Sequence, residues 1–367
     1  MIRMNDFAAE PDELREAMLA AAARVFSSGW YVLGRECETF ESTWAAACDV
    51  ACCTGVGNGL DAIELILRAL DIGAGDEVVT TGMTAVATVL AISRAGATPV
   101  LADVEPGTAL LDPASVERCL SARTRAIVVV HLYGQARQMD AWVDLCTRRG
   151  LALIEDCAQA HLARWSGRGV GSFGVAGAFS FYPTKNLGAV GDAGAVVSHD
   201  VALNGRVARL RNYGQSERYV HPELGMNSRL DELQAAILLA RLPWLEGFTQ
   251  QRRRIAERYD DEIRHAAVRK LLPAESAEAH VHHLYAVCVA DRDGLIEHLA
   301  RRGVQSLIHY PIPVHRQAPF LSLKTDPQGL RCTEAHAATC LSLPCHPQLS
   351  NDDIDRTIAA VNSFQHR

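Results

Sequence analysis

Between about residues 50 and 200, short continuous apolar runs alternate with stretches that repeat at the helical period. The runs read VACCTGV, DEVVTTG, TPVLADV, RAIVVVHLY, LALIEDC, GAFSFYP and GAVVSHD. Between them lie LDAIELILRAL, TAVATVLAISRAG, MDAWVDLCTRRG and a glycine-rich loop. Unbroken Val, Ile, Leu and Ala runs belong to strands covered on both faces, and helices between them are the crossovers that a parallel sheet needs. The pattern predicts an α/β fold with a mostly parallel central sheet covered by helices. From about 229 to 265 the chain reads as one or two long helices, with mixed charges in QRRRIAERYDDE that suit a solvated face. Beyond them, HLYAVCVADRDGLIEHLARRGVQSLIHYPIPVH reads as strand–helix–strand and NDDIDRTIAAVNSF as a last helix. A smaller C-terminal α+β domain is expected over 251–367, behind a large domain over 1–250, with the boundary near 245 to 270. No internal repeat or low-complexity segment stands out.

Composition narrows the class. The 367 residues, 49% hydrophobic and 22% charged, leave room for a large core. A net charge of -7 argues against a general nucleic-acid binder. No stretch approaches the roughly twenty apolar residues of a membrane-spanning helix. The start, MIRMNDFAAEPDELREAM, lacks the apolar core of a signal peptide, so a soluble, cytoplasmic protein is expected. The eleven cysteines sit mostly in apolar runs and form no C-x-x-C pair, which predicts buried, reduced thiols rather than disulfides or a zinc site.

Three stretches carry candidate chemistry. In VACCTGVGNGLDAIELIL a strand, a glycine-rich turn and a helix start make a cradle for phosphate, where free N–H groups and the positive helix end favour an anion. A plain structural turn is the main alternative; dinucleotide binding is a lesser one, since the spacing is G-x-G-x-G and no acid ends the second strand. In LALIEDC, Glu155 and Asp156 fall at the carboxyl end of a buried strand, where α/β proteins bind ligands, although Asp156 could instead cap a helix starting at Cys157. In AFSFYPTKNLGAVG, Phe179 and Phe181 alternate with Ser180 and Tyr182, and Lys185 stands at the end of the apolar run, free either to snorkel to solvent or to serve a ligand. Phosphate cup, strand-end carboxylate and strand-end lysine are together the parts that pyridoxal 5'-phosphate (PLP) requires: a Schiff-base amine, a partner for the ring nitrogen and an anchor for the phosphate.

These residues also resemble a known family. GVGNGLDAIELIL, MTAVATVLAI, VVVHLYGQARQMDA, EDCAQAH, SFYPTKNLGAVGDAGAV, GMNSRLDELQAA, IHYPIPVH and SLPCHP are similar, nearly end to end, to the DegT/DnrJ/EryC1/StrS sugar aminotransferases, PLP enzymes of fold type I. The resemblance implies that Lys185 bonds the cofactor and moves protons, and that Asp156 pairs with the ring nitrogen. It implies that Gln159 contacts the ring, and that Ser180 and the backbone of Gly59 and Leu60 hold the phosphate. Asn227 would reach a phosphate in the partner subunit of a homodimer with shared sites. Tyr182, His309 and Tyr310 would lie near the substrate's pyrophosphate, with Arg218 a weaker candidate. Two positions depart from the family: Leu60 stands where relatives often have threonine, and Ala85 where an aromatic residue often stacks on the ring.

The function expected is ping-pong transfer of an amino group, with L-glutamate as donor, onto a nucleotide-linked keto sugar. The NGLDA cup leans towards dTDP-3-keto-6-deoxyhexoses, while a C4 ketone or a cyclitol ketone stays open. The reading from another class is a non-catalytic PLP-binding regulator; a nicotinamide oxidoreductase would need a fingerprint that is missing. His280 and His282 share a face of an expected strand, but no carboxylate or thiol accompanies them, so no metal is expected. His161 is expected to pack behind the site as a satisfied histidine, and His315 fits either a domain-junction turn or an anion site.

Overall fold

The protein is described by a computed structural model covering residues 1–365. All seven apolar runs form strands: β1 (Cys52–Val56), β2 (Glu77–Thr81), β3 (Thr98–Ala102), β4 (Thr124–Val130), β5 (Ala152–Asp156), β8 (Ala176–Ser180) and β9 (Gly194–Ser198). A small hairpin, β6 (Arg164–Trp165) and β7 (Arg168–Gly169), interrupts the series. The central sheet has the order β1-β9-β8-β5-β4-β2-β3-β12, where β12 is Lys324–Thr325. Its strands from β8 through β12 run parallel, and β9 is antiparallel to both β8 and β1. The expectation of a mostly parallel α/β sheet is met.

Helices cover both faces. On one side α3 (Gly59–Ala69), α4 (Val86–Arg94) and α7 (Val201–Leu210) bury Ile63, Ile66, Ile92 and Val207 against Ile154 and Val196. On the other, α5 (Pro113–Cys119) and α6 (Met139–Arg149) bury Val116, Trp142 and Leu145 against Val79, Ile127 and Leu153. There too Phe40 and Trp44 of α2 (Arg35–Ala47) meet Phe179, Phe181 and Leu238 of α8 (Glu232–Arg241). Helix α1 (Asp12–Ser28) lies on α8 through Ala21, Val25 and Ala236.

The stretch from 229 resolves into α8, a single 3-10 turn at Leu242–Trp244 and α9 (Leu245–Glu262). The last face of α9 enters a separate core with β10 (Arg269–Lys270), β11 (Tyr285–Cys288), α10 (Arg292–Arg301), β13 (Cys340–Leu343) and α12 (Asn351–Asn362). The expected second strand after α10 does not form: Val304 and Leu307 make single bridges only, to Ile2 and Ser342. β13 occupies the ladder beside β11 instead, and Pro311 and Pro313 lack the N–H donors to extend pairing. The 1–250/251–367 division stays a proposal, because two segments cross it. Ile2 joins the C-terminal core, and β12 with α11 (Arg331–Thr339) returns to the large sheet, where Asp103 accepts from the N–H groups of Cys332 and Thr333 at 2.9 and 2.7 Å.

Candidate active site

Strand alternation sets the site. In β5, Ile154 packs under α3 and α4 and Leu153 under α5 and α6, so Asp156 follows Ile154 to the α4 side and Glu155 faces the other way. Asp156 is in register with Ala178 of β8. Ala176 and Ala178 pack on Ile154's side, and Ser180, two residues on, shares the face with Asp156. Glu155 braces the scaffold. It accepts from the N–H groups of Gly171, Phe173 and Gly174 at 2.8 to 3.0 Å and pairs with His131 Nε2 at 3.1 Å. Cys157 lies beside this pair, but burial pushes its thiol well up, and Glu155 is already saturated, which does not suit a metal.

No helix starts at Cys157, so Asp156 is not a helix cap. Its Oδ1 closes a tight turn by accepting from Ala158 N–H at 3.1 Å, and its Oδ2 accepts from Thr88 Oγ1 at 2.8 Å. Sequence reasoning missed Thr88; the only signal was a pair of threonines four apart in the otherwise apolar TAVATVLAI.

The glycine-rich turn becomes the start of α3, pressed against the end of β8. A Cβ on Gly59 would lie 2.6 Å from Ser180 Cβ, and one on Gly194, the β9 partner of Ser180, 2.4 Å from the Asn58 carbonyl carbon. Only glycines allow this approach. Asn58 caps α3 by accepting from Asp61 N–H at 2.8 Å. Asp61 Oδ2 takes bonds from Asn58 Nδ2 at 3.0 Å and Ser228 Oγ at 2.8 Å. The N–H groups of Gly59 and Leu60 have no partner among the described residues, so the helix start presents two donors beside the Ser180 hydroxyl.

Lys185 does not end the strand: β8 stops at Ser180, and Lys185 sits in a turn closed by its own N–H to the Tyr182 carbonyl at 2.8 Å. The loop folds back, with Ala189 N–H bonded to Phe181 O at 2.8 Å. Nζ of Lys185 has no hydrogen bond or ion pair among the described residues. Burial lowers the amine to about 8, against the opposing pull of the Asp156 charge. Neighbouring imidazoles are neutral: burial, helped by the Lys185 charge, depresses His161 to about 3 and His309 to about 4.

Gln159 is buried beside these groups. Its Oε1 accepts from Tyr133 N–H at 2.6 Å and its Nε2 donates to Tyr310 Oη at 3.2 Å. Burial, and then the Asp156 charge, raises the Tyr310 phenol to about 12. His309 is held by Ser342 through Nδ1 at 2.9 Å, and its carbonyl accepts from Tyr133 Oη at 2.6 Å. Tyr182 is 52% exposed. Asn227 is also exposed, next to Ser228, whose Oγ receives the Gly57 N–H at 3.0 Å. Arg218 lies exposed on a tight turn, with its guanidinium over the Tyr219 ring and Nη2 3.3 Å from Tyr219 Oη. Leu60 and Ala85 are half-buried, Ala85 at the start of α4.

The other histidines serve the scaffold. His161 lies between Trp44, Phe179 and Phe181. Its Nδ1 accepts from Leu187 N–H at 3.0 Å, while Nε2 meets no hydrogen-bond criterion with the described residues. His280 and His282 are not on a strand; their rings stack at 3.8 Å, and His280 Nδ1 accepts from His282 N–H. His315 pairs with Glu334 at 3.1 Å.

Residues 12–362 match the model of the DegT/DnrJ/EryC1/StrS aminotransferase family. The chain belongs to this family. It is 45% identical over 351 residues, 96% of each chain, to the erythromycin biosynthesis sensory transduction protein EryC1 of Saccharopolyspora erythraea. It is 44% identical over 365 residues to the dTDP-3-amino-3,4,6-trideoxy-alpha-D-glucose transaminase of Streptomyces venezuelae, covering 99% of this chain and 96% of that one. Among solved structures, DesV of S. venezuelae in complex with a ketimine intermediate superposes with a TM-score of 0.95 at 42% identity, over 100% of this chain and 99% of that one. The protein is a PLP-dependent aminotransferase. Its residues fit that cofactor: two unpaired N–H groups and a hydroxyl for a phosphate, a carboxylate on the same face, and an amine with no competing partner.

Proposed function

We propose that this enzyme moves an amino group from L-glutamate onto the keto group of a nucleotide-linked sugar, a dTDP-3-keto-6-deoxyhexose, in sites shared between the subunits of a homodimer. The observation that carries the catalytic part is the unpartnered Lys185 amine, held near neutrality within reach of the Asp156 charge. The names of the transaminase relatives from S. venezuelae and Aneurinibacillus thermoaerophilus, both 44% identical, support a dTDP-linked 3-keto sugar.

When bound, PLP supplies an aldehyde that takes up amines and a ring that delocalises the electron pair released at carbon. Lys185 would hold the cofactor through Nζ and, when that amine is free, would carry the proton that amino transfer has to move; an amine titrating near 8 can both accept and return it. Asp156, with both oxygens steered by Thr88 and Ala158, would accept from the ring nitrogen. Ser180 and the N–H groups of Gly59 and Leu60 bind the phosphate, Gln159 contacts the ring edge, and Asn227 reaches a phosphate across the dimer. His309 and Tyr310, both uncharged near neutral pH, border the substrate with Tyr182, and Arg218 would have to swing in to neutralise charge there.

The test is spectroscopic and chemical. Purified protein carries the visible absorption of bound PLP, and Lys185→Ala abolishes that band together with amino transfer. Glutamate converts the chromophore, and the converted enzyme then aminates the keto sugar, read as product mass. A colourless wild type that takes up no added PLP overturns the assignment. The competing reading, suggested by the "sensory transduction" name of one relative, is a PLP-binding regulator. Persistence of the chromophore through glutamate and every other amino donor would favour it.

A further inference from the structure

The Asp156 carboxylate does not stand alone. Thr88 Oγ1 lies 2.8 Å from Asp156 Oδ2, and Thr84 Oγ1 lies 2.9 Å from Thr88 Oγ1. Thr88, in the first turn of α4, is 1% exposed, and Thr84, two residues before the helix begins, is 4% exposed. A hydroxyl has one proton. An ionised carboxylate accepts only, so Thr88 gives its proton to Asp156, and the Thr84 proton must then point to Thr88. The chain is directional, Thr84 to Thr88 to Asp156, and each bond polarises the next.

We propose that Thr84 and Thr88 are positioning residues that fix the plane of the Asp156 carboxylate and turn it towards the cofactor's ring nitrogen. The inference rests on the assignment of Asp156 made above. A carboxylate has about four lone-pair sites. Ala158 N–H occupies one on Oδ1 and Thr88 one on Oδ2, which fixes the carboxylate plane and leaves the remaining sites for the ring N–H. A donor to a carboxylate stabilises its charged form. Without Thr88, the Asp156 carboxylate loses a donor and is free to rotate, so its hold on the ring N–H weakens. Thr84 acts one bond further away, so its removal has the same sign and a smaller size.

The test compares Thr88→Val, nearly isosteric but without the hydroxyl, with Thr88→Ser, which keeps it, and with Thr84→Val. Asp156→Asn serves as reference. The readouts are the 15N resonance of 15N-labelled PLP bound to each holoenzyme, the affinity of each apoenzyme for PLP, and kcat separately from KM. Thr88→Val is expected to move the ring-nitrogen resonance towards that of an unprotonated pyridine. It should also weaken PLP binding and lower kcat by about 10-fold or more, the size of one lost charge-assisted hydrogen bond, with little change in KM. Thr88→Ser should restore all three, and Thr84→Val should give a smaller shift of the same sign. A Thr88→Val enzyme that loses thermal stability but keeps the wild-type resonance and PLP affinity overturns the proposal, provided Asp156→Asn shifts the resonance. If Asp156→Asn leaves the resonance unmoved, the assignment of Asp156 itself falls.

Discussion

Lys185 is held where its own charge is disfavoured, and that has a measurable sign in the apoenzyme. Its folded pKa of about 8 lies below the value near 10.4 of an unfolded chain. Between those limits the unfolded state binds more protons, so unfolding free energy rises with pH. Apo wild type is expected to gain stability relative to apo Lys185→Ala as pH increases from about 8 to about 10; parallel denaturation curves for the two proteins across that range would refute the depressed amine. At the cup, Leu60→Thr adds a hydroxyl beside two free N–H groups and is expected to tighten PLP binding several-fold, by one hydrogen bond of about 1 kcal/mol, as measured by apoenzyme titration. Lys185, Asp156 and Ser180 could be singled out as candidates because each belongs to a short string whose order along the chain makes chemical sense together. Thr84 and Thr88 were not. A threonine in an apolar run looks the same whether its hydroxyl bonds its own backbone or joins a chain of bonds to a carboxylate on another strand.

Strands were the most readable elements, since all seven apolar runs are buried on both faces. Helices α1, α2, α5, α7 and α11 escaped notice. α5 has seven residues, and α1 buries only Leu14, Ala21 and Val25 of its seventeen, too narrow a stripe to stand out. β12 was invisible for another reason: two residues cannot announce a strand, and long-range contacts place it. Lys324 Nζ reaches Glu77 Oε1 at 2.5 Å, and Asp326 accepts from Arg118 and Ser115. Burial works against the Glu77 charge, but bonds from Lys324, Ser121 and Arg123 win and hold its carboxyl at about 2. The folded pKa is depressed, so this stability is present above about 4.3 and is lost as pH falls through about 2. Glu77→Gln is expected to cost about 1–3 kcal/mol at neutral pH, and less when unfolding is measured near pH 3. An equal cost at both pH values would place the effect in packing. Behind the Lys185 turn, Trp44 is fully buried edge to face with Phe179 and Phe181. Phe181→Ala is expected to lose about 3–5 kcal/mol in denaturant titrations.

For the whole molecule, the mostly parallel sheet and its helical cover followed from periodicity, whereas the return of residues 314–334 to the large sheet did not. Periodicity reports faces, not destinations. Several buried histidines also set a common acid limit. Burial depresses His161 and His282 to about 3 and His309 and His336 to about 4. The unfolded chain takes up their protons first, near 6.5, so unfolding free energy should fall steadily as pH drops from about 6.5 to 4. A flat profile over that range in equilibrium unfolding would contradict the neutral, buried imidazoles. If Asn227 serves the partner's site, mixed dimers of Asn227→Ala and Lys185→Ala chains hold one intact site, and re-associated mixtures should transaminate faster than either parent.

The turn at Gly57–Leu60 has a practical side. Asp61, in the first turn of α3, is tied down by Asn58 and Ser228, and no described residue occupies the donors of Gly59 and Leu60. Free orthophosphate in a buffer therefore competes for that seat. Reconstitution of stripped enzyme will run slower in phosphate than in an amine-free zwitterionic buffer of equal ionic strength, and recovered colour will depend on the salt chosen at the bench.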